Sequence, residues 1–285
     1  MPNNDFERAQ PLVEALPYIQ KFTNKIVVIK YGGNAMVSEE LFEAVIDDII
    51  LLHLVGIQVV FVHGGGPEIN DMLDRLGIET RFVNGLRYTD KDTMEVVQSV
   101  LCGKVNKDLV ATIMRKGGNA IGLCGLDGKL FEAQKMSDED YGLVGEITKV
   151  NPDVIFKAIE DKYIPVVATV AFGVDEDTPY NVNADTAAAK LAIALEAEKL
   201  VLLTNTRGVL RNPDDEDTLL ETIKVHEIKG LMESGIITGG MIPKIECCAD
   251  AIAGGVKRTH ILDGRIPHSI LIEMLTDEGV GTMIE

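Results

Sequence analysis

Two rhythms of apolar and polar positions run through this chain. In Lys25–Lys30 (KIVVIK), Gln58–His63 (QVVFVH), Ile164–Ala168 (IPVVA), Leu200–Thr204 (LVLLT) and Thr259–Leu262 (THIL) nearly every position is apolar. Such runs predict strands covered on both faces. Between the first two, Leu41, Val45, Ile49 and Leu52 form a helical stripe flanked by Phe42, Ile46 and Ile50, with Ser38 placed to cap a helix over Ser38–Val55. Strand, helix and covered strand make a βαβ unit. The fold class expected is therefore α/β, an open, mainly parallel β-sheet sandwiched between helix layers.

Further helices are expected over Asp90–Lys116, Asp153–Asp161, Ala184–Ala197, Val225–Ser234 and Ile245–Ala253, and a β-hairpin over Lys129–Lys135 and Leu143–Val150. Residues 1–24 stand apart as a helical arm. Leu12, Leu16 and Ile19 fall at i, i+4 and i+7, interrupted by Pro11 and Pro17. That stripe packs either on its own body or on a neighbouring subunit; the residues favour neither.

Composition narrows the partners. A net charge of −18 over 285 residues argues against non-specific nucleic-acid binding, which needs cations to displace counterions from phosphate. It leaves room for a small anionic ligand, because a few cations focused in a cleft outweigh a diffuse surface charge. The cysteines at 102, 124, 247 and 248 form no CxxC and read as buried, reduced thiols. No apolar run reaches the ~20 residues of a membrane span. MPNNDFERAQ lacks the features of a signal peptide, so the expected location is the cytoplasm, or an organelle stroma after removal of a transit peptide.

Candidate chemistry gathers at turns that follow strands. Lys30-Tyr31-Gly32-Gly33-Asn34 and His63-Gly64-Gly65-Gly66-Pro67 fall where open α/β sheets bind ligands, and glycines there let N–H groups face an anion. Neither GxxxxGK[ST] nor GxGxxG is present, and tight turns need glycine for steric reasons alone. Lys30 adds weight: a lone lysine at a strand end usually snorkels to solvent, but Lys244, after Gly239-Gly240, is a second glycine-anchored lysine. The two suggest a clamp on a phosphoryl group. In Tyr180-Asn181-Val182-Asn183-Ala184-Asp185, three polar residues precede a helix that needs one cap. Arg87, in Asn84-Gly85-Leu86-Arg87, reads by itself as a surface ion pair, the alternative being a bidentate fork for a carboxylate.

Taken together, KYGGNAM, VHGGGPEIN, NGLRYTD, GKVNKDLV, YNVNADTAAA, LLTNTRGVL, TGGMIPK and DEGVGTMI resemble the amino-acid kinase family, and within it the N-acetyl-L-glutamate kinases, from about residue 10 to the C-terminus. The resemblance implies a mainly parallel sheet of roughly eight strands, continuous through an N-lobe (25–195) that binds the acylated amino acid and a C-lobe (196–285) that binds ATP. It implies transfer of the γ-phosphoryl group of ATP to the γ-carboxylate of N-acetyl-L-glutamate, the second step of arginine biosynthesis. Mg²⁺ would be held mainly by ATP's own oxygens. The acceptor, with an ordinary pKa of ~4.3, is already ionised at neutral pH, so no general base is needed and none stands out.

Carried over residue by residue, the resemblance gives Lys30 and Lys244 the stabilisation of the transferring group and Asp185 the holding of both lysines. Gly65 and Gly66 would offer N–H groups near the acceptor and γ-phosphate, with Gly32 and Gly33 serving the phosphates. Arg87 would grip the α-carboxylate and Asn181 the amide region; Asn205, Thr206, Gly208, Leu210, Ile236 and Thr238 would touch the nucleotide. The family's loop usually carries Asp where this chain has Asn205.

Arginine-inhibited members carry an N-terminal helix that joins dimers into a hexamer, and a C-terminal signature resembling His268-Ser269-Ile270 through Glu278-Gly279-Val280-Gly281-Thr282. L-arginine is thus an expected inhibitor, with His268, Glu278, Gly279 and Gly281 as candidate contacts, and a nitrogen-signalling regulatory protein is a further partner that the resemblance raises. A kinase of free glutamate or aspartate is the nearest rival, against which Arg87 with Asn181 tells. A non-catalytic amino-acid sensor would have no need of both lysines. An acetylglutamate synthase would need an appended acetyltransferase domain, for which 285 residues leave no room.

Overall fold

A computed structural model describes residues 5–32, 38–137 and 139–285. All five apolar runs form strands. In chain order the strands are β1 (Ile26–Tyr31), β2 (Gln58–His63), β3 (Phe82–Val83), β4 (Leu86–Arg87), β5 (Ala120–Gly125), β6 (Phe131–Lys135), β7 (Gly145–Val150), β8 (Ile164–Gly173), β9 (Pro179–Asn181), β10 (Lys199–Thr204), β11 (Thr222–Ile223), β12 (Arg258–Asp263) and β13 (Gly281–Ile284). The helices are α1 (Asp5–Glu14), α2 (Leu16–Phe22), α3 (Glu39–Leu54), α4 (Gly66–Leu76), α5 (Lys91–Gln98), α6 (Asn106–Arg115), α7 (Asp153–Glu160), α8 (Ala184–Ala194), α9 (Ile228–Glu233), α10 (Met241–Ala253) and α11 (Ser269–Leu275).

One eleven-stranded sheet carries the order β11-β13-β12-β10-β1-β2-β8-β6-β7, with β5 and β9 also paired to β8. Its centre is parallel, as continuous hydrophobicity requires: β1 pairs with β2 and β10, and β10 with β12. The roughly eight strands expected become eleven because the hairpin β6–β7 and the short strands β9, β11 and β13 extend the parallel core. β3 and β4 form a separate two-stranded ribbon.

Helix boundaries carry three informative departures. The helix expected from Ile245 begins at Met241, so Lys244 lies in its first turn, where Pro243 is tolerated because early N–H groups have no intrahelical acceptor. The helix expected over Asp90–Lys116 is interrupted by a π-helical turn at Ser99–Val105, between α5 and α6. That widened turn passes beneath Gly65, where a methyl would fall 2.7 Å from Leu101 Cδ2 and 3.2 Å from Val105 Cγ2. The segment from Val225 opens with a 3₁₀ turn before α9. Ser38 caps α3 as expected, accepting from Leu41 N–H at 3.3 Å.

The arm divides in two. Phe22 at the end of α2 is buried, whereas Leu12 is 76% and Leu16 50% exposed. No helix among the described residues is long and apolar enough to cross a membrane.

Asp90 starts the helical stretch that passes under Gly65, its side chain accepting from Thr93 N–H at 2.8 Å. Asp90→Ala is expected to cost about 1 kcal/mol of stability. Calorimetry should show Tm lowered by roughly 2–4 °C.

Candidate active site

β1 lies at the middle of the parallel region, and Lys30 near its carboxyl end is registered against Val62 of β2 and Leu202 of β10. Flanked on both sides and buried, its side chain has one way out, along the crevice beyond the strand ends. There it meets Asp185 from the first turn of α8: Lys30 Nζ stands 2.9 Å from Oδ1, as an ion pair without an aligned hydrogen bond. Lys244, from the first turn of α10, donates to Oδ2 at 2.6 Å. Two lysines 214 positions apart in sequence thus converge on one carboxylate.

The three polar residues before α8 separate by task. Asn183 is the cap, its Oδ1 accepting from Asp185 N–H at 2.9 Å and Thr186 N–H at 3.1 Å. Asp185 is thereby freed for the lysines. Asn181, on β9, donates to Thr89 Oγ1 at 3.1 Å, and Thr89 Oγ1 donates to the Arg87 carbonyl at 2.8 Å. Burial by itself would push the Asp185 carboxyl upward, but the charges of Lys30 and then Lys244 outweigh it and hold it down at about 2.

Arg87 is not the surface ion pair that its sequence context suggested. It is 8% exposed, and its hydrogen bonds among the described residues go to neutral oxygens. Nη2 donates to Asn70 Oδ1 at 2.6 Å and to the Gly66 carbonyl at 3.2 Å, while buried Nη1 has no protein acceptor among the described residues. The short β3–β4 ribbon turns the side chain inward across the Phe82 ring, 5.0 Å from its centroid. Burial lowers its pKa. An arginine in that state is preorganised for a carboxylate.

A cavity of about 300 Å³ is lined by Lys30, Gly65, Gly66, Arg87, Asn181 and the start of α8. Residues from four separate motifs therefore face one space. The two glycine turns abut: Gly32 has φ of +151°, and a methyl on it would fall 3.0 Å from Gly64 N. Gly33 lies outside the described residues.

The expected nucleotide contacts are more dispersed. Asn205 and Thr206 are exposed on the bend after β10, with Thr206 N–H held by Thr204 Oγ1 at 3.1 Å. Gly208, at φ of +140°, lets the chain pass Thr282, whose Oγ1 accepts from Val209 N–H at 2.8 Å, and Leu210 bridges to Leu219. Ile236 and exposed Thr238 lie on the turn that leads into α10 and Lys244.

A second cavity, also about 300 Å³, is lined by Glu278, Gly279 and Gly281 together with Tyr18, Lys21 and Phe22 of α2. His268 is not among its lining residues; its Nδ1 lies 2.6 Å from Oδ1 of buried Asp48 on α3. Sequence reasoning missed Lys199, His260 and Glu273 here. His260 Nδ1 and Lys199 Nζ stand 2.9 and 3.6 Å from Glu273 Oε1, and all three residues line the cavity. The available signal was polar residues embedded in both-face-buried strands, Lys199 opening β10 and His260 inside β12.

Residues 25–263 match the model of the amino acid kinase family. The chain is 58% identical over 282 residues to the acetylglutamate kinase of Clostridium beijerinckii, covering 99% of both. It is 53% identical to that of Heliobacterium modesticaldum, covering 98% of both. Among solved structures, N-acetylglutamate synthase from Neisseria gonorrhoeae, complexed with coenzyme A and N-acetyl-glutamate, superposes with a TM-score of 0.83 at 27% identity, over 97% of this chain and 63% of that one.

The Asp185 linkage gives a signed prediction. Its folded pKa of about 2 lies below the ordinary 3.8, so its contribution is complete above pH 3.8 and lost as pH falls toward 2. Asp185→Asn should lower unfolding free energy near neutrality by about 2 kcal/mol or more. In denaturant titrations, the gap from wild type should narrow between pH 4 and 2.

Proposed function

Because the chain belongs to the amino-acid kinase family, and within it to the acetylglutamate kinases, we propose that the Lys30–Asp185–Lys244 cluster is where its phosphoryl transfer takes place. The activity is that of acetylglutamate kinase (EC 2.7.2.8): ATP phosphorylates N-acetyl-L-glutamate in arginine biosynthesis. The observation that carries the assignment of the site is convergence of two lysines on one buried carboxylate, beside glycine N–H groups and an inward-facing arginine.

In this reading a γ-carboxylate oxygen of N-acetyl-L-glutamate attacks the γ-phosphorus in line. The bond to the β–γ bridging oxygen breaks, and the electron pair leaves with ADP. No proton moves, because the acceptor is already an anion. The barrier is the approach of two anions, and positioning with charge neutralisation lowers it. Lys30 and Lys244 face the charge that builds on the transferring group. Asp185 keeps the two ammonium groups together. Gly65 and Gly66 N–H groups aim at the phosphoryl oxygens, Arg87 Nη1 takes the α-carboxylate, and Asn181 takes the amide. Both Asp185 oxygens lie within ion-pair distance of a lysine, which assigns that carboxylate to holding the two ammonium groups. Mg²⁺ would be held mainly by the nucleotide's own oxygens and would supply further positive charge beside the two lysines.

The second cavity supports feedback inhibition by L-arginine. Glu278 and Glu273 offer carboxylates to a guanidinium, Lys21 and Lys199 offer cations to an α-carboxylate, and α2 forms one wall. The exposed Leu12 and Leu16 suit an arm that docks on a neighbouring subunit and builds a hexamer from dimers. Inhibitor site and assembly would then share one element.

An ATP-dependent hydroxamate assay tests the reading, since hydroxylamine traps the acyl phosphate itself. N-acetyl-L-glutamate should give product and free glutamate little. Arg87→Lys should raise KM for N-acetyl-L-glutamate by roughly 10–100-fold, with KM for ATP nearly unchanged. An equal rise in both would remove Arg87 from the acceptor pocket. Deleting residues 1–22 should convert hexamers to dimers on light scattering and blunt arginine inhibition while turnover persists. An unchanged mass would refute the arm.

A further inference from the structure

His63 and Asn106 have no part in the scheme above, yet they form a buried, hydrogen-bonded polar pair in contact with the glycine turn. His63 ends β2 and is fully buried; Asn106 opens α6 just past the π-helical turn and is 1% exposed. The Asn106 amide has only one sensible orientation. Nδ2 lies 2.9 Å from the Val166 carbonyl and 3.3 Å from that of Leu123, and both can only accept. Oδ1 accepts from Lys107 Nζ at 2.9 Å. The amide nitrogen, a donor, therefore faces His63 Nε2 at 3.1 Å; its two hydrogens serve Val166 and His63, and the longer approach to Leu123 shares one of them.

This fixes the imidazole in turn. Nε2 must accept, so the ring proton sits on Nδ1, which donates to the Gly64 carbonyl at 2.9 Å. Burial, the largest influence, pulls the imidazole pKa down to about 4, so the ring is neutral at physiological pH. A neutral ring can be donor at one nitrogen and acceptor at the other; a charged one could not accept from Asn106.

The Gly64 carbonyl belongs to the same rigid peptide as the Gly65 N–H, and in a trans peptide the two point in opposite directions. Fastening the oxygen against His63 turns the Gly65 N–H away from the ring, at the wall of the cavity that Lys30 and Arg87 line. Among the described residues that N–H has no backbone acceptor. With glycine on both sides, the peptide has no Cβ of its own to restrain its rotation.

We propose that His63 and Asn106 are a positioning pair that sets the Gly64–Gly65 peptide so that its N–H meets the transferring phosphoryl group. The pair touches no substrate. Gly122 marks the outer end of the chain: a side chain there would collide with the Asn106 amide and Lys107 Nζ, so glycine is what leaves room for the amide. The inference rests on the proposed role of the Gly65 N–H and extends it to the residues that aim it.

The test compares His63→Leu, His63→Gln, Asn106→Leu and Gly122→Ala with wild type in steady-state kinetics and in binding of MgADP with and without aluminium fluoride, a probe of the transferring phosphoryl group. His63→Leu and Asn106→Leu should lower kcat by roughly 10²-fold, since a misaimed donor loses much of an oxyanion contact. Both KM values should move little. Aluminium fluoride should lose its enhancement of MgADP binding. His63→Gln, which keeps a donor for Gly64 and an acceptor for Asn106, should recover most of the loss. Should the buried leucine variants not fold, Gly122→Ala reads the same split from outside the crevice. ¹⁵N NMR of histidine-labelled wild type reads the tautomer with no substitution: Nδ1 should carry the proton and the ring should stay neutral from pH 8 down to 5. Unchanged kcat in folded His63→Leu, a proportional rise in KM instead, or a proton on Nε2 would each overturn the proposal. Lys30→Ala is the control for the underlying reading. If it retains full turnover and the aluminium fluoride response, the site assignment fails whatever His63 does.

Discussion

A chain with a net charge of −18 must hold two cations side by side without their driving each other apart. Asp185 solves that problem, and the rest of the site is built around it. Two ammonium groups brought to either side of one carboxylate in a partly buried crevice would otherwise repel by about 3 kcal/mol or more. With Asp185 between them, the cluster keeps a net charge of +1 from two lysines and one carboxylate, aimed along the crevice. A neutral residue there would leave two cations competing for counterions. A second carboxylate would cancel the cluster's net positive charge.

Delivering those three groups to one point is the task of the sheet. Lys30 arrives on its central strand, Asp185 on the helix that follows β9, and Lys244 on a helix whose early start puts the lysine in its first turn. Parallel strands make this possible, because their carboxyl ends all open on one edge and the turns leaving them share one crevice. The first turns of α8 and α10 carry Asp185 and Lys244 to that crevice, and the positive ends of the two helix dipoles add to the potential there without ordering a further side chain. The arrangement concentrates positive potential in a protein whose surface carries the opposite sign.

How much of this was legible in the residues differs by scale. The five buried strands, the Ser38 cap and the surplus polar residues before α8 were legible because each is a local rule: continuous burial, an orphan N–H, one cap too many. Arg87 was not, since nothing near it in sequence reveals that a two-residue ribbon will fold its side chain inward onto Asn70 and Gly66. The π-helical turn was hidden for a similar reason: apolar spacing over 90–116 fits an ordinary helix, and its close passage under Gly65 is a contact between distant segments. The trio of Lys199, His260 and Glu273 became visible only when three elements were packed together, for each alone resembles a stray polar residue in an apolar segment.

Phosphoryl transfer to a carboxylate also explains why the polar groups around the proposed site are so thoroughly fixed. With no proton to move, no side chain needs to titrate during turnover, and none gains from mobility. Stabilisation comes from donors already in place when charge shifts, because a donor that must first rotate offsets part of what it contributes. Backbone N–H groups suit this use only if something holds their peptides, and glycine turns by themselves do not. A buried neutral imidazole, fixed by an amide that is itself anchored on the Val166 carbonyl of β8, ties the glycine turn to the rigid parallel core. The chain from Val166 of β8 through Asn106 and His63 to Gly64 makes the orientation of one peptide a property of the whole sheet.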